Sequence, residues 1–362
     1  MKVFVGMSGG VDSSVTAALL VEQGYDVTGV YMKNWSQDLP GMVCPWKEDY
    51  QDAKRVAVQL GIPFKLYDFE TEYRQRVVDY MLDGYRRGIT PNPDIMCNQE
   101  VKFKLFLEAA LADGADMIAT GHYARIVHDT ATTNDKRPTT NAASLHMAAN
   151  LEKDQTYFLY RVTEDALKRS LMPIGEFTTK AEVRAEAEKR GLATARKKDS
   201  QGICFVGKVG IKDFLLHELG EQAHGAIFDQ NGVRIGEHDG AIFYTIGQRQ
   251  GLGVGGGLPY YVTGKDMAKN EVYVTTDIQD PTLWHDTLTL TELYWINEPP
   301  EQGKTYQVRT RYRAEPVPSV FTWDAQNDRG ELHLETAVRA ITPGQSAVLY
   351  EGTRVLGGGI VI

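Results

Sequence analysis

A glycine- and serine-rich segment, residues 6–14, follows the first apolar run of the chain and precedes its first helical pattern. Its glycines allow the backbone to turn tightly and bring N–H groups close to an anion, and its three serines add hydroxyl donors. The helix that follows points the positive end of its dipole at the same place. The segment therefore predicts a phosphate-binding loop.

The spacing of this loop excludes two familiar nucleotide-binding patterns. The Gly-Lys-Ser/Thr ending of a Walker A loop is absent, and the glycines do not have the spacing of a dinucleotide fingerprint. Asp12 lies inside the loop, where a carboxylate would repel phosphate unless a divalent cation lies between them. Asp12 is therefore predicted either to steer Mg²⁺ or to cap the following helix.

Two cysteines have surroundings that favour a reactive thiol. Cys97 is predicted just ahead of a helix, where the dipole favours the thiolate. Asp94, three residues earlier, would share a helical face with Cys97 and is the candidate general acid or base. Cys204 follows Lys197 and Lys198, whose charges also favour a thiolate. Either cysteine alone fits an inert buried residue, but the pair beside a phosphate loop fits sulfur transfer.

The third cysteine, Cys44, has no chemical role that its neighbours suggest, so it is interpreted as a packed or surface thiol. A three-thiolate iron–sulfur site built from Cys44, Cys97 and Cys204 is chemically conceivable, although nothing in their spacing favours it. The eight histidines show no metal-ligand spacing. His122 is interpreted as a neighbour of RNA or nucleotide.

The elements that must position these groups alternate between strand and helix over the first 125 residues, which predicts a parallel sheet covered on both faces. Ligands of such sheets bind at the carboxyl ends of the strands. Strands are predicted at residues 2–6, 26–32, 62–69 and 117–120, and helices at residues 12–23, 48–60, 70–86, 98–112 and 179–190. Residues 128–150 lack a hydrophobic period and are predicted to form an irregular surface excursion.

After about residue 204, short alternating runs separated by Gly and Pro predict antiparallel sheet or a small barrel. The predicted strands are residues 241–246, 260–262, 271–275, 306–313, 320–323 and 347–350. The α/β chain is thus expected to have a parallel-sheet catalytic domain (1–206), a small β-rich central domain (207–280) and a C-terminal antiparallel β-barrel (281–362).

Alternating arginines suggest an RNA-binding face. Arg309, Arg311 and Arg313 would share one face of the strand predicted at residues 306–313, with Tyr306 and Tyr312 nearby for stacking. The alternative is a solvated outer face of the barrel. The glycine-dense residues 251–257 fit either an approach of RNA backbone or a simple hairpin turn.

The composition limits the function classes. The chain has 362 residues, with 39 Lys and Arg against 48 Asp and Glu, a net charge of −9. This charge argues against non-specific coating of nucleic acid but allows a local basic patch. The odd number of cysteines argues against a disulfide scaffold. Apolar runs are strand-sized and no signal peptide is apparent, so a cytoplasmic protein with no membrane partner is expected.

The loop Ser8-Gly9-Gly10-Val11-Asp12-Ser13 resembles the PP-loop of ATP pyrophosphatases, which split ATP between the α and β phosphates. Beyond this loop, the chain is similar, in order and along nearly its whole length, to the tRNA-specific 2-thiouridylase family. The strings that carry the resemblance are residues 31–35, 90–94, 119–123, 153–155, 197–205, 245–249 and 342–346.

This resemblance implies a three-domain enzyme that thiolates the wobble uridine of tRNAs, with the Lys, Glu and Gln acceptors as expected substrates. It implies that Cys97 is the nucleophile and that Cys204 carries sulfur as a persulfide, with a transient disulfide between them. ATP, with Mg²⁺, would be bound by Gly6, Met7, Ser8, Gly9, Gly10, Val11, Asp12, Ser13, Met32 and Gly121. The tRNA would be contacted by Asn92, Pro93, Asp94, His122, Lys153, Asp154, Gln155, Arg311, Tyr312 and Gln345.

The implied chemistry requires further partners. The uracil C2 oxygen is a poor leaving group, so it must first be adenylated, and the target base must be extruded from the anticodon stack. Sulfur would then arrive by direct persulfide attack or as released hydrosulfide, and a persulfide donor protein and a cellular reductant would restore the enzyme. The choice of tRNA would belong to the domains beyond residue 207. Two other interpretations are an ATP pyrophosphatase that transfers ammonia and a nucleotide-responsive RNA-binding module without chemistry.

Overall fold

Three β-sheets organise the chain in the computed structural model, which describes residues 1–39, 43–130, 140–198, 210–255, 257–324 and 326–362. Within these ranges, no helix combines the length and the apolar character needed to cross a membrane. The chain begins with α/β structure and ends with antiparallel strands, so the predicted fold class is confirmed.

The first sheet has five parallel strands in the order β3-β2-β1-β4-β7. Alternate side chains of β1 enter different cores, since Phe4 packs into one cluster and Val3 and Val5 into another. Both faces of this sheet are therefore covered. The strands of the first 198 residues are β1 (Lys2–Gly6), β2 (Asp26–Lys33), β3 (Phe64–Asp68), β4 (Met117–Ala119), β5 (Ala124–Thr130), β6 (Thr140–Met147) and β7 (Ser170–Leu171).

The helices of this region include two long runs that contain π-helical segments. Arg74–Val78 joins α3 to α4, and Cys97–Leu105 joins α5 to α6. Segments of π-helix are rare in proteins, and those that do occur often lie at functional sites. The helices are α1 (Val11–Glu22), α2 (Trp46–Leu60), α3 (Glu70–Tyr73), α4 (Asp79–Arg86), α5 (Pro93–Met96), α6 (Phe106–Ala112), α7 (Glu164–Lys168) and α8 (Lys180–Lys189).

The helical run that contains Cys97 begins earlier than expected. Its first residue is Pro93, and the side chain of Asn92 caps it by accepting the Asp94 N–H. Proline suits this position because the first N–H groups of a helix have no intrahelical partner. Cys97 therefore lies inside the helix, beyond the first turn, and the prediction that it precedes the helix is wrong.

The prediction of an irregular excursion over residues 128–150 is also wrong. Strands β5 and β6 form an antiparallel pair, and β6 continues the C-terminal sheet by pairing with residues 354 and 355. Ala143, Leu145 and Met147 are buried at every second position. The buried face carries only three residues, one of them an alanine, and alanine also occupies position 142 on the other face, so the alternation in hydrophobicity is weak. Residues 131–139 lie outside the described structure.

The second sheet has four strands in the order β10-β11-β8-β9 and follows helix α9 (Ile211–Leu219). The strand predicted over residues 241–246 is wrong, because Ala241–Phe243 forms a 3₁₀ turn. All three of these residues are buried, so the apolar run is a turn packed into the core rather than a strand with two faces. The strands are β8 (Gly225–Phe228), β9 (Arg234–His238), β10 (Tyr261–Asp266) and β11 (Glu271–Thr275).

The C-terminal strands form a closed barrel of six antiparallel strands, since β12 pairs with both β15 and β17. The strand predicted over residues 306–313 ends at Arg309, and Arg313 has a left-handed φ of 61°. The three arginines therefore do not share one strand face. The strands are β12 (Trp284–Trp295), β13 (Thr305–Arg309), β14 (Val317–Asp324), β15 (Arg329–Arg339), β16 (Ser346–Glu351) and β17 (Arg354–Val361).

A substitution at Gly175 tests how tightly the start of the β5–β6 hairpin packs on the rest of the chain. A Cβ atom at Gly175 would lie 1.9 Å from the carbonyl oxygen of Ala124, the first residue of β5. We expect Gly175→Ala to lower the free energy of unfolding by about 1–3 kcal/mol, because backbone must move to admit the methyl group. Denaturant titration measures this change. Gly255→Ala is the control, since a Cβ there meets no atom within 4 Å; equal effects of both substitutions would contradict the packing argument.

Candidate active site

The phosphate loop lies between β1 and α1, as its sequence predicts. The Ser8 N–H donates to Ser13 Oγ at 3.2 Å, and Ser13 Oγ donates to the Gly10 carbonyl at 3.2 Å. Gly9 has a φ of 76°, and a Cβ atom there would lie 2.3 Å from the backbone oxygen of Asp49. Only glycine fits this position, because helix α2 begins directly beside the loop.

The structure brings the other predicted ATP-binding residues to this loop. A Cβ atom at Gly6 would lie 2.9 Å from the Met32 side chain, and one at Gly121 would lie 2.7 Å from the Ser13 nitrogen. Gly6, Met32 and Gly121 belong to or follow the adjacent strands β1, β2 and β4. The carboxyl ends of three neighbouring strands therefore meet at the phosphate loop.

Asp12 is neutralised within this site. Lys180 Nζ lies 2.7 Å from both carboxylate oxygens, and the Tyr123 hydroxyl donates to one of them at 2.9 Å. The helix is capped at Gly10 without a side-chain bond, so the prediction that Asp12 caps it is wrong. Sequence reasoning missed Lys180. A lysine at the first position of α8 opposes the helix dipole, and this was the available signal that it has another partner.

Residues 194–197 contact both the phosphate loop and helix α2 beside it. The Thr194 hydroxyl donates to Ser14 Oγ at 2.8 Å. Lys197 Nζ lies 2.6 Å from Asp49 and 2.7 Å from Asp52. Burial alone would lower the pKa of Lys197, but these two carboxylates outweigh burial and raise its pKa. Lys197 therefore pairs with carboxylates of helix α2. Cys204, whose thiolate the charge of Lys197 is predicted to favour, lies outside the described residues.

Cys97 is buried, with only 2% of its surface exposed. Asp94 lies three residues earlier on the same helical run, as predicted, and burial raises the pKa of its carboxyl group while Lys102 opposes that rise. A raised pKa favours the protonated acid, which suits a carboxyl group that must donate as well as accept a proton.

His122 lies in the interior beside the same helix. Its ring packs 5.6 Å from that of Phe103, and its Nδ1 lies 2.8 Å from the Thr120 hydroxyl. Burial, together with the positive charge of Lys102, lowers the pKa of His122 well below its usual 6.5. The imidazole is therefore neutral at physiological pH, and its role as an RNA neighbour stays a prediction.

The three residues at positions 153–155, all predicted to contact tRNA, differ from one another in their surroundings. Asp154 is buried and forms an ion pair with Arg309 at 2.8 Å. Gln155 accepts the Tyr123 N–H through its side chain at 2.9 Å. Lys153 is half-buried on the adjoining turn. Arg309, one of the three arginines expected on an RNA face, is thus occupied inside the protein.

The remaining predicted tRNA contacts lie in connections between strands of the barrel. Arg311 is exposed and donates to the Arg339 carbonyl. The Tyr312 ring packs 4.6 Å from that of Phe158. Gln345 Nε2 donates to the carbonyl of Thr90 at 2.6 Å, close to Asn92 and Pro93 in the chain.

Among the residues that the structure describes, no three His, Cys, Asp or Glu side chains are grouped so that they could hold a metal ion. Cys44 is half-buried, and burial raises the pKa of its thiol. An iron–sulfur site that needs Cys204 involves a residue outside these ranges.

Comparison with known proteins identifies the family. Residues 1–208 match the family model described as the tRNA methyl transferase HUP domain. The tRNA-specific 2-thiouridylase MnmA of Streptococcus pyogenes serotype M4 is 45% identical over 366 aligned residues, covering 100% of this chain and 95% of that protein. The chain belongs to the tRNA-specific 2-thiouridylase family. The family resemblance expected from the sequence motifs is therefore confirmed.

Other matches extend along the chain. Residues 212–276 match the tRNA methyl transferase PRC-barrel domain, and residues 285–361 match the aminomethyltransferase beta-barrel domain. The 2-thiouridylase of Streptococcus equi subsp. zooepidemicus is 46% identical over 99% of this chain and 94% of that protein. A crystal structure of a 4-thiouridine synthetase–RNA complex with bound ATP is 17% identical, with a TM-score of 0.38 over 57% of this chain and 45% of that one.

The neutral state of His122 predicts a pH dependence of stability. Below the usual pKa of 6.5 the unfolded chain binds a proton at His122 that the folded protein does not, so stability falls as the pH decreases. From about pH 7.5 to about pH 5.5, we expect the wild type to lose about 1 kcal/mol more than His122→Gln. Denaturant titrations at the two pH values measure this difference. Substitution of the exposed His217 by Gln is the control, and an unchanged loss in His122→Gln would contradict a neutral His122.

Proposed function

We propose that this protein catalyses ATP-dependent 2-thiolation of the wobble uridine of tRNA. The observation that carries the proposal is the 45% identity, over the whole chain, to proteins named tRNA-specific 2-thiouridylases. The matched ranges 1–208, 212–276 and 285–361 support units bounded near residues 206 and 280. Because its substrate is tRNA, we propose that it acts in the cytoplasm, with the Lys, Glu and Gln acceptors as substrates.

The phosphate loop supplies the groups that ATP binding needs. Its backbone donors, its serine hydroxyls and the start of helix α1 fit the phosphates, and Gly121 and Met32 lie against the same loop. Lys180 offsets the charge of Asp12, so a carboxylate can lie inside an anion site without repelling phosphate. A Mg²⁺ ion bound with ATP would place a second positive charge near Asp12.

The sulfur-transfer step balances with two thiols. The uracil C2 oxygen attacks the α-phosphorus of ATP and pyrophosphate leaves, which makes AMP the leaving group at C2. In one route the terminal sulfur of the Cys204 persulfide displaces AMP, and Cys97 then attacks the Cys204 sulfur to free the thiouridine. In the other, Cys97 attacks first and releases hydrosulfide, which displaces AMP. Both routes leave a Cys97–Cys204 disulfide for a cellular reductant, and a donor protein renews the persulfide.

Asp94 and its neighbours would act on the extruded base. Asn92 and Pro93 begin the helix that carries both Asp94 and Cys97, so a base held at this turn lies beside the nucleophile's helix. The raised pKa of Asp94 allows this carboxyl group to exchange a proton with the base during adenylation. The barrel residues Arg311 and Tyr312 would contact the RNA outside this pocket.

Methyl transfer to tRNA is the second candidate, because the descriptions of the matched family models name it. The loop over residues 6–14 favours thiolation, since it has the form of an ATP pyrophosphatase loop rather than of a dinucleotide fingerprint. The two reactions change the mass of a nucleoside differently: one exchanges sulfur for oxygen and the other adds a methylene unit.

Mass analysis of tRNA nucleosides after incubation with the protein, ATP, Mg²⁺ and a persulfide donor tests the function. We expect a sulfur-for-oxygen exchange at the wobble uridine with the wild type and with Cys44→Ser. Cys97→Ser and Cys204→Ser should abolish the exchange, because each removes one of the two sulfurs that the transfer requires. Pyrophosphate release should survive in Cys204→Ser. A methylene gain, full thiolation by Cys204→Ser, or no pyrophosphate release would each contradict the proposal.

Lys180 should matter for ATP affinity. In Lys180→Ala the carboxylate of Asp12 loses its counter-charge and would face the phosphates, so we expect ATP to bind at least about tenfold more weakly. Equilibrium binding of ATP measured by calorimetry gives this ratio. Lys189→Ala is the matched control on the same helix, since the Lys189 side chain is 72% exposed. Equal affinities for wild type and Lys180→Ala would show that the pair has no role in binding.

A further inference from the structure

The two backbone groups of Thr90 are both bound by one loop of the C-terminal barrel. The Thr90 N–H donates to the Pro343 carbonyl at 2.9 Å, and the Thr90 carbonyl accepts from Gln345 Nε2 at 2.6 Å. A Cβ atom at Gly344, whose φ is 92°, would lie 3.0 Å from backbone atoms of Thr90. The barrel loop therefore touches the backbone of Thr90 directly and leaves no space between them.

The central part of the chain, residues 212–276, also contacts Thr90. The Thr90 hydroxyl and the Thr245 hydroxyl lie 3.1 Å apart, at hydrogen-bonding distance. Thr245 is held in turn, because its N–H donates to Gln248 Oε1 at 3.0 Å. Segments from all three parts of the chain therefore meet at Thr90.

The connection from Thr90 to Cys97 is short and stiff. Pro91 and Pro93 have fixed φ angles, and Asn92 caps the helix that begins at Pro93. Pro91 also packs against Gly84 of helix α4, where a Cβ atom would lie 2.7 Å from the proline ring. A displacement of Thr90 is therefore passed to the helix rather than absorbed by a flexible linker.

A second contact holds the other side of Cys97. The Asn98 amide donates to the Phe158 carbonyl at 3.1 Å, and the Phe158 ring packs on Tyr312 of the barrel at 4.6 Å. Tyr157, next to Phe158, donates through its hydroxyl to the Ser346 carbonyl at 2.9 Å. The barrel therefore supports the Cys97 helix both before and after the cysteine.

We propose that Gln345 is a positioning residue for Cys97: its amide fixes Thr90, and through Thr90 the turn at Asn92 and the helix of Cys97, before any RNA is bound. This inference deepens the proposed function, on which it rests for its importance in catalysis. It assigns Gln345 an effect inside the RNA-free protein, in addition to the tRNA contact that the family resemblance implies.

The test measures alkylation of Cys97 by iodoacetamide in the RNA-free protein, followed by mass spectrometry of the Cys97 peptide. Gln345→Leu removes the donated hydrogen bond, and Gln345→Glu places a carboxylate oxygen against the Thr90 carbonyl. Because the buried Cys97 is protected by the placement of its helix, we expect both variants to be alkylated about tenfold faster than the wild type. An unchanged rate would overturn the proposal and leave Gln345 as an RNA contact only.

The control is Gln302→Leu. The Gln302 amide also donates to a backbone carbonyl, that of Trp323 at 3.1 Å, but both residues lie in the barrel. Its substitution should leave Cys97 alkylation unchanged, and an equal acceleration would overturn the proposal. The Cys44 peptide reports general unfolding in the same samples. If it too is alkylated faster in the Gln345 variants, Thr245→Val decides the result. Selective acceleration at Cys97 supports positioning of Cys97 through Thr90, and no acceleration contradicts it.

A second measurement separates positioning from RNA contact. In single-turnover thiolation, we expect Gln345→Leu to lower the rate at saturating tRNA, a condition under which a lost RNA contact alone would not slow the reaction. Loss of tRNA affinity with an unchanged saturating rate would contradict the proposal. Absence of thiolation by the wild type would refute the proposed function but not the alkylation result, so the two failures can be distinguished.

Discussion

A buried ion pair between Asp154 and Arg309 joins the first part of the chain to the barrel. Asp154 also accepts hydrogen bonds from the Ala148 N–H and the Thr156 hydroxyl, and Arg309 packs over the Tyr350 ring. Burial raises the pKa of Asp154, against the effect of these donors. Taking both charges out of water is costly, and removal of either partner would leave an uncompensated buried charge where the barrel meets the first part of the chain.

From this ion pair a short series of contacts leads to the phosphate loop. Gln155, next to Asp154, exchanges two hydrogen bonds with Tyr123: its N–H donates to the Tyr123 carbonyl, and its side chain accepts the Tyr123 N–H. The Tyr123 hydroxyl donates to Asp12. Positions predicted from the family to contact tRNA therefore also support the proposed ATP site. The proposed nucleotide site and these predicted tRNA contacts are therefore joined by a continuous series of hydrogen bonds.

Local neutralisation explains how an acidic chain can offer anion sites. The net charge of −9 would disfavour phosphate if carboxylates near the loop were uncompensated. Instead Lys180 pairs with Asp12, and Lys197 pairs with Asp49 and Asp52 beside the loop. These lysines come from residues 180–197, far from the loop in sequence. The same segment leads to Cys204, so the chain that carries the second thiol begins from an anchor on the phosphate loop.

The sequence by itself determined the parallel sheet, the phosphate loop and the family, because strand and helix periods and the spacing around residues 6–14 are local properties of the chain. It did not reveal the hairpin β5–β6, in which β6 pairs with β17 and so extends the barrel sheet. Nor could it show that Lys180 neutralises Asp12, that Arg309 is buried against Asp154 rather than facing RNA, or that Gln345 holds Thr90. Only the tertiary structure decided these, because each joins residues more than a hundred positions apart, and whether a charged or amide group meets water or a partner depends on which distant segment folds against it.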